Sequence, residues 1–141
     1  AMQGPALTVT LSDAPSDIQP AGVDDDDLIV HQQDIQSVVN AMWQGGAEAV
    51  TIQGQRVIST TGIKCVGNVV VIESVPYAPP YVIEAVGDVD ELQDALDAST
   101  PVQAYLDAVG AYELGFTQET DDLELPAHRN APAVRYADPL D

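Results

Sequence analysis

Residues 40–72, NAMWQGGAEAVTIQGQRVISTTGIKCVGNVVVI, constrain the fold more than any other part of the chain. A helical pattern stops at Gly45-Gly46, and short strand-like runs follow at once. Residues 47–52 and 55–58 flank a Gln53-Gly54 turn. Residues 62–66 and 69–73 flank Gly67-Asn68, a two-residue hairpin loop. A helix that feeds directly into hairpins needs a sheet beneath its apolar face. That requirement points to layered α+β architecture.

The helix is marked by Ile35, Val38, Val39, Met42 and Trp43, spaced so that they share one face. Asp34 suits the positive end of its dipole, and Gly45-Gly46 supply a left-handed C-cap. Residues 7–11 (LTVTL) alternate and predict a strand after a Gly4-Pro5 turn. Residues 12–27 are rich in Pro, Asp and Ser and read as loop, with a short buried segment at Leu28, Ile29 and Val30. Pro76, Pro79 and Pro80 bracket a rigid loop that displays Tyr77. Residues 81–86 (YVIEAV) predict another strand. Asp88 caps a second helix, with Glu91 at the reciprocal capping-box position, and Leu92, Ala95 and Leu96 form its inner face. Thr100-Pro101 open a third helix as N-cap and N1. Its inner face is Val102, Tyr105, Leu106 and Val109, and Gly110 ends it. Residues 112–117 and 123–125 predict the last strands.

These elements make one globular α+β domain over residues 1–126. The expected form is a two-layer sandwich with a ferredoxin-like, mixed or antiparallel sheet. About three helices pack on one face, and a β-hairpin is added. Residues 127–141 lack periodicity and read as a mobile tail.

The net charge is −19. All of it falls on residues 1–126, because Arg129 and Arg135 balance Asp138 and Asp141 in the remainder. Such a field repels nucleic acid and anionic lipid, and it tolerates cations or a basic partner. No apolar run approaches the roughly 20 residues of a membrane span. The opening Ala1-Met2 reads as a cloning scar, so a segment before residue 1 is expected in the full protein. The single cysteine, Cys65, excludes an intrachain disulfide and a thiol-rich metal site.

Candidate chemistry is sparse. The Asp24–Asp27 run fails the calcium-loop pattern, because Leu28, Ile29 and Ile35 stand where an oxygen ligand, glycine and glutamate are required. It reads as a solvated acidic loop. His31 and His128, the only histidines, are far apart. Strand alternation places Lys64 and Cys65 on opposite faces, so Cys65 reads as a buried structural residue. Arg56 and Lys64 are the only basic residues before Arg129. With Ser59, Thr60 and Thr61, they form a polar knot able to hold a carboxylate or phosphate. The competing reading is an ion pair of Arg56 with Glu48 or Glu73. That reading is favoured, because no glycine-rich turn leads onto a helix N-terminus here. No phosphate loop, nucleophile elbow or metalloprotease motif is present, and no metal site or cofactor is expected.

VVNAMWQGGAEAVTIQGQRVISTTGIKCVGN followed by PYAPPYVIEAVGD resembles the bacterial domain of unknown function 881, the YlxW/YlxX-like proteins. The markers are Asn40, Gly46-Ala47-Glu48-Ala49, the turn from Gln53 to Arg56, Ile63-Lys64-Cys65 with Gly67, and Pro80-Tyr81-Val82-Ile83 leading to Gly87-Asp88. The likeness runs from Gly4-Pro5 to Leu125-Pro126 and points to an actinobacterial source. It implies an N-terminal membrane anchor, then a coiled coil, then this domain outside the cytoplasmic membrane, in proteins associated with division and envelope genes. It carries no catalytic residues over. Gln53 stands where the family usually has Asn, a change expected to matter little beyond turn geometry. The absent catalytic motifs together with the resemblance suggest a non-enzymatic domain with protein partners in the envelope, able to form a homo-oligomer, and apolar side chains around Tyr77, Pro79 and Pro80 offer a contact surface. A small anionic-ligand domain built on Arg56 is the alternative.

Overall fold

A computed structural model describes residues 2–14, 30–58, 63–66, 69–72 and 74–126. Eight strands and three helices occur among them, in the order β1 (Met2–Ser12), α1 (Gln32–Gln44), β2 (Ala49–Ile52), β3 (Gln55–Val57), β4 (Ile63–Val66), β5 (Val69–Ile72), β6 (Val75–Tyr77), β7 (Tyr81–Val86), α2 (Val89–Ala98), α3 (Thr100–Tyr112) and β8 (Gly115–Leu125). The main sheet has the order β3-β2-β7-β1-β8, and a smaller sheet has the order β4-β5-β6. Every pairing is antiparallel. Without β3, the main sheet has the outer-inner-inner-outer order of a ferredoxin-like βαββαβ unit, and the small sheet is inserted between its halves. The expected α+β sandwich is present, with its sheets antiparallel rather than mixed.

One face of the main sheet carries Leu7, Val9 and Leu11 of β1, Val50 and Ile52 of β2, and Tyr81, Ile83 and Ala85 of β7, all buried. Against it lie Ile35, Val38, Val39 and Met42 of α1, Leu92 and Leu96 of α2, and Val102 and Tyr105 of α3. These are the residues that the helical and alternating periods select, so one hydrophobic core explains the three-helix layer.

The α1 C-terminus closes as a Schellman motif. The Gly46 N–H donates to the Trp43 carbonyl at 3.1 Å and the Ala47 N–H to the Met42 carbonyl at 3.0 Å, with Gly46 at φ 88°. Gly45 serves packing instead: a Cβ there would stand 2.9 Å from the Glu91 carbonyl oxygen and 3.0 Å from the Leu92 Cα. The two glycines thus stop one helix and let the next one approach.

Five element boundaries differ from the sequence expectation. Gly4 and Pro5 lie inside β1, not in a turn before it. The Pro5 carbonyl accepts from the Gly87 N–H, just past the end of β7, so the missing Pro N–H faces a position with no strand partner. Val75–Tyr77 is a strand paired to β5, so the proline-bracketed loop begins only after Tyr77. The Pro79-Pro80 peptide is cis. Ser99, not Thr100, caps α3: its side chain accepts from the Val102 N–H, which moves Pro101 to the second helical position. The same helix continues past Gly110 to Tyr112 and ends on Glu113 at φ 63°. Finally, residues 115–125 form one long strand, not two short ones. The N-cap of α2 is as expected, with Asp88 accepting from the Glu91 N–H at 3.1 Å.

Candidate functional site

Arg56 sits at the centre of β3, paired with Thr51. Thr51 pairs with Glu84, Glu84 with Thr8, and Thr8 with Glu119. Cross-strand partners share a face, so these five residues form one polar row across the sheet on the side away from the helices. Beside the row, Ala6, Ala49 and Val86 form a small apolar patch covered by Leu123 and Leu125. The β1–β8 ribbon therefore curls over this face at one end.

That curl gives Arg56 its partner. Its NH1 donates to the Pro126 carbonyl oxygen at 2.8 Å, tying the end of β8 to β3. The expected pairing with Glu48 does not form. Glu48 is out of phase with Thr51, the strand neighbour of Arg56. Glu84 lies on the correct face but two strands away, roughly 10 Å, and its carboxylate accepts from the Thr51 hydroxyl at 3.0 Å. Glu73, Ser59, Thr60 and Thr61 fall outside the described residues, as do His128 and the Asp24–Asp27 run. For Lys64 and Cys65 only the backbone in β4 is described, opposite Val71 and Val70. Among the described residues, then, the polar knot contributes Arg56 alone, and Arg56 acts as an anchor for the end of β8.

The fold places more weight on Gln53 than its turn position suggested, and on Gln55, which the sequence pattern did not single out. Gln53 has φ 54°. Its Oε1 accepts from the Val82 N–H at 2.8 Å, and its Nε2 donates to the Pro80 carbonyl at 3.0 Å. The side chain thus extends the β2–β7 ladder and holds the loop after Tyr77, so its role exceeds local turn geometry. Gln55 is buried, and its Oε1 accepts from the Tyr77 hydroxyl at 3.1 Å. The available signal was Gln55 standing in the same strand phase as Val57, a polar residue where an apolar one belongs. Tyr77 is consequently half-buried against the core, while Pro80 is exposed and Pro79 half-buried. The large apolar side chains most open to solvent are Ile58 and Val75.

A small cleft of about 50 Å³ lies between α1, β3 and β4, bounded by Trp43, Val57, Ile58 and Ile63. Trp43 Nε1 is buried with no acceptor.

A second polar group joins the end of β1 to the start of α1. The Asp13 carboxylate accepts from the Val30 N–H at 2.9 Å and Asp34 from the His31 N–H at 2.8 Å. Burial raises the Asp34 pKa above its ordinary value, against the lowering effects of the His31 N–H and ring. The Tyr105 hydroxyl donates to the Gly115 carbonyl at 2.9 Å, and its pKa is raised first by burial and then by the charges of Asp34 and Asp13. Among the described residues, no group of three or more His, Cys, Asp or Glu side chains is arranged to hold a metal ion. No described helix is long and apolar enough to cross a membrane.

Comparison with known proteins places this arrangement. Residues 1–138 match the family "Bacterial protein of unknown function (DUF881)". The UPF0749 protein Rv1823 of Mycobacterium tuberculosis is 35% identical over 130 residues, which is 88% of this chain and 42% of that protein. The UPF0749 protein YlxW of Bacillus subtilis is 38% identical over 96 residues, covering 68% of this chain and 41% of that protein. This chain therefore spans about two fifths of the length of these relatives. An uncharacterized conserved protein from M. tuberculosis of known crystal structure superposes with a TM-score of 0.71 at 23% identity, over 99% of this chain and 90% of that one, and so shares the fold. Over residues 1–138, this chain belongs to the DUF881 family of bacterial proteins of unknown function.

Proposed function

We propose that this chain is the extracytoplasmic domain of a membrane-anchored envelope protein, and that it works by contacting other proteins in cell division or wall assembly. The observation that carries this reading is how the fold spends its polar side chains. Arg56 holds the Pro126 carbonyl, Gln53 holds β7, Gln55 holds Tyr77, and Asp88 and Ser99 cap helices. What the fold leaves open is surface, above all a long acidic edge strand. The relatives are more than twice as long as the segment they share with this chain, which suits a module carried on a larger protein.

The test is photo-crosslinking of the full-length protein in the bacterium that makes it, with the crosslinker placed on exposed β8 and β6 positions. Recovery of discrete envelope partners is expected. Absence of any specific adduct from cells in which the protein is abundant overturns the reading. A thermal-shift screen of the purified chain against anionic metabolites and wall fragments decides the anionic-ligand alternative. A stabilising hit that disappears in Arg56→Ala would replace the interaction reading with ligand binding.

A further inference from the structure

We propose that the free edge of β8 is a docking strand, and that its partner is a basic extended segment which adds to the main sheet beside β8. The inference rests on the protein-contact reading above and names the chemistry of the contact.

Among the described residues, β8 ends the main sheet, with β1 on one side and no strand on the other. It runs eleven residues, and 117–122 are exposed in succession. In an antiparallel ladder, alternate residues turn their N–H and C=O groups away from the existing partner. This edge therefore offers a row of backbone groups to an incoming strand, one of which, the Asp122 N–H, is already held by the Asp121 carboxylate at 2.8 Å.

The side chains decide which strand. Phe116 pairs with Leu11, a core residue, so even-numbered positions of β8 face the helix side and odd-numbered ones the open side. Glu119 and Asp121 then flank the edge on the open face, and Asp122 and Glu124 on the helix face. No basic residue lies in β8. Side chains of a strand stand above and below the sheet, so Glu119, Asp122 and Glu124 flank the hydrogen-bonding edge, while the Asp121 carboxylate accepts from the Asp122 N–H and must release it when a strand adds. A shallow depression lined by Pro5, Val89, Thr120, Asp121 and Asp122 lies over β1 and β8 near the start of α2, next to this edge.

A second copy of the chain is a poor occupant. Two β8 edges laid together would bring Glu119, Asp121, Asp122 and Glu124 of each copy within cross-strand reach of the other's, and like charges at that range repel. A strand bearing Lys or Arg at alternate positions meets opposite charges instead, and the −19 field steers it inward.

The experiment uses the whole chain and a peptide of roughly ten residues, about the length β8 can pair, alternating lysine with valine or threonine. Two twins accompany it: one N-methylated along one edge, with the same charge but no ladder donors, and one with glutamate for lysine. Binding is read by fluorescence anisotropy at about 0.15 M salt, and its site by backbone amide shifts. The account expects the basic peptide to bind with shifts on residues 117–122, and neither twin to bind comparably. The variant Glu119→Lys/Asp121→Lys should weaken binding roughly tenfold. The variant Asp94→Lys/Asp97→Lys, which changes net charge equally on exposed α2 positions, should weaken it by less than about twofold. Equal binding of the N-methylated twin, equal loss in the two variants, shifts away from β8, or no binding overturns the proposal. If crosslinked envelope partners persist in the Glu119→Lys/Asp121→Lys protein, the interaction reading stands and only the β8 assignment fails.

Discussion

Replacing Gln53 tests the structural logic most sharply, because one side chain does two backbone jobs. In Gln53→Ala the Val82 N–H loses its acceptor at 2.8 Å in a half-buried position, and the Pro80 carbonyl loses its donor at 3.0 Å in a more exposed one. An unsatisfied half-buried N–H costs about 1–2 kcal/mol, and an exposed carbonyl that turns to water about 0.5 kcal/mol, for a loss near 2 kcal/mol. In a domain of this size that lowers Tm by roughly 6–10 °C. The backbone supplies an internal control. Gln53 is at φ 54°, a conformation natural to glycine, so Gln53→Gly should lose the same two bonds yet recover about 0.5–1 kcal/mol of strain. Gln53→Asn tolerates the conformation but has a shorter reach, and should fall between wild type and Gln53→Ala. Differential scanning calorimetry of the four proteins, with exposed Gln44→Ala as reference, gives the ranking. A Gln53→Ala shift within about 2 °C of the reference, or a Gln53→Gly protein less stable than Gln53→Ala, would refute the reasoning.

Arg56→Ala removes one exposed charged hydrogen bond and should cost about 0.5–1 kcal/mol in denaturant titration, with faster amide exchange at Leu125 as the strand end is released. Tyr105→Phe strips a buried hydroxyl from the Gly115 carbonyl and should cost about 1–2 kcal/mol. In the intact protein, the Tyr105 phenol should ionise only above the ordinary tyrosine range, read by ultraviolet titration. Asp34 has a raised pKa in the folded state, so the native protein holds this proton more tightly than the unfolded chain. Its contribution is full below the ordinary value of 3.8 and falls as pH rises from there through the folded pKa. Wild type should therefore lose stability relative to Asp34→Asn across that window and run parallel to it above, as measured by urea unfolding against pH.

The main core was legible because its periods are clean. The α1 face and the β7 alternation each specify a buried stripe, and both recur in the structure, as does the Gln53-Gly54 turn between β2 and β3. β8 was legible only at its ends. TQETDD has no apolar phase because this part of an edge strand has both faces largely in water, so hydrophobic periodicity carries no signal there. β6 was hidden by Pro76, which reads as loop although it sits in a strand at the border of the small sheet. Ser99 and Thr100 are both good capping residues, so the sequence alone does not choose between them, and the structure shows Ser99 accepting from the Val102 N–H. The Arg56 contact was out of reach for a different reason. Its partner is a backbone carbonyl seventy residues away, brought near by the curl of the β1–β8 ribbon, and no side-chain identity encodes it.

The resemblance implied membrane anchoring and envelope partners, and the family relationship places the chain among longer bacterial proteins. Contact with other proteins is the claim on which the functional account turns. In-cell photo-crosslinking of the full-length protein, from a probe at exposed Thr117 or Thr120, addresses it directly. Discrete adducts with envelope proteins that diminish in Glu119→Lys/Asp121→Lys are expected. A full-length protein that is abundant, folded and correctly anchored yet yields no specific adduct from either β8 or β6 would contradict it.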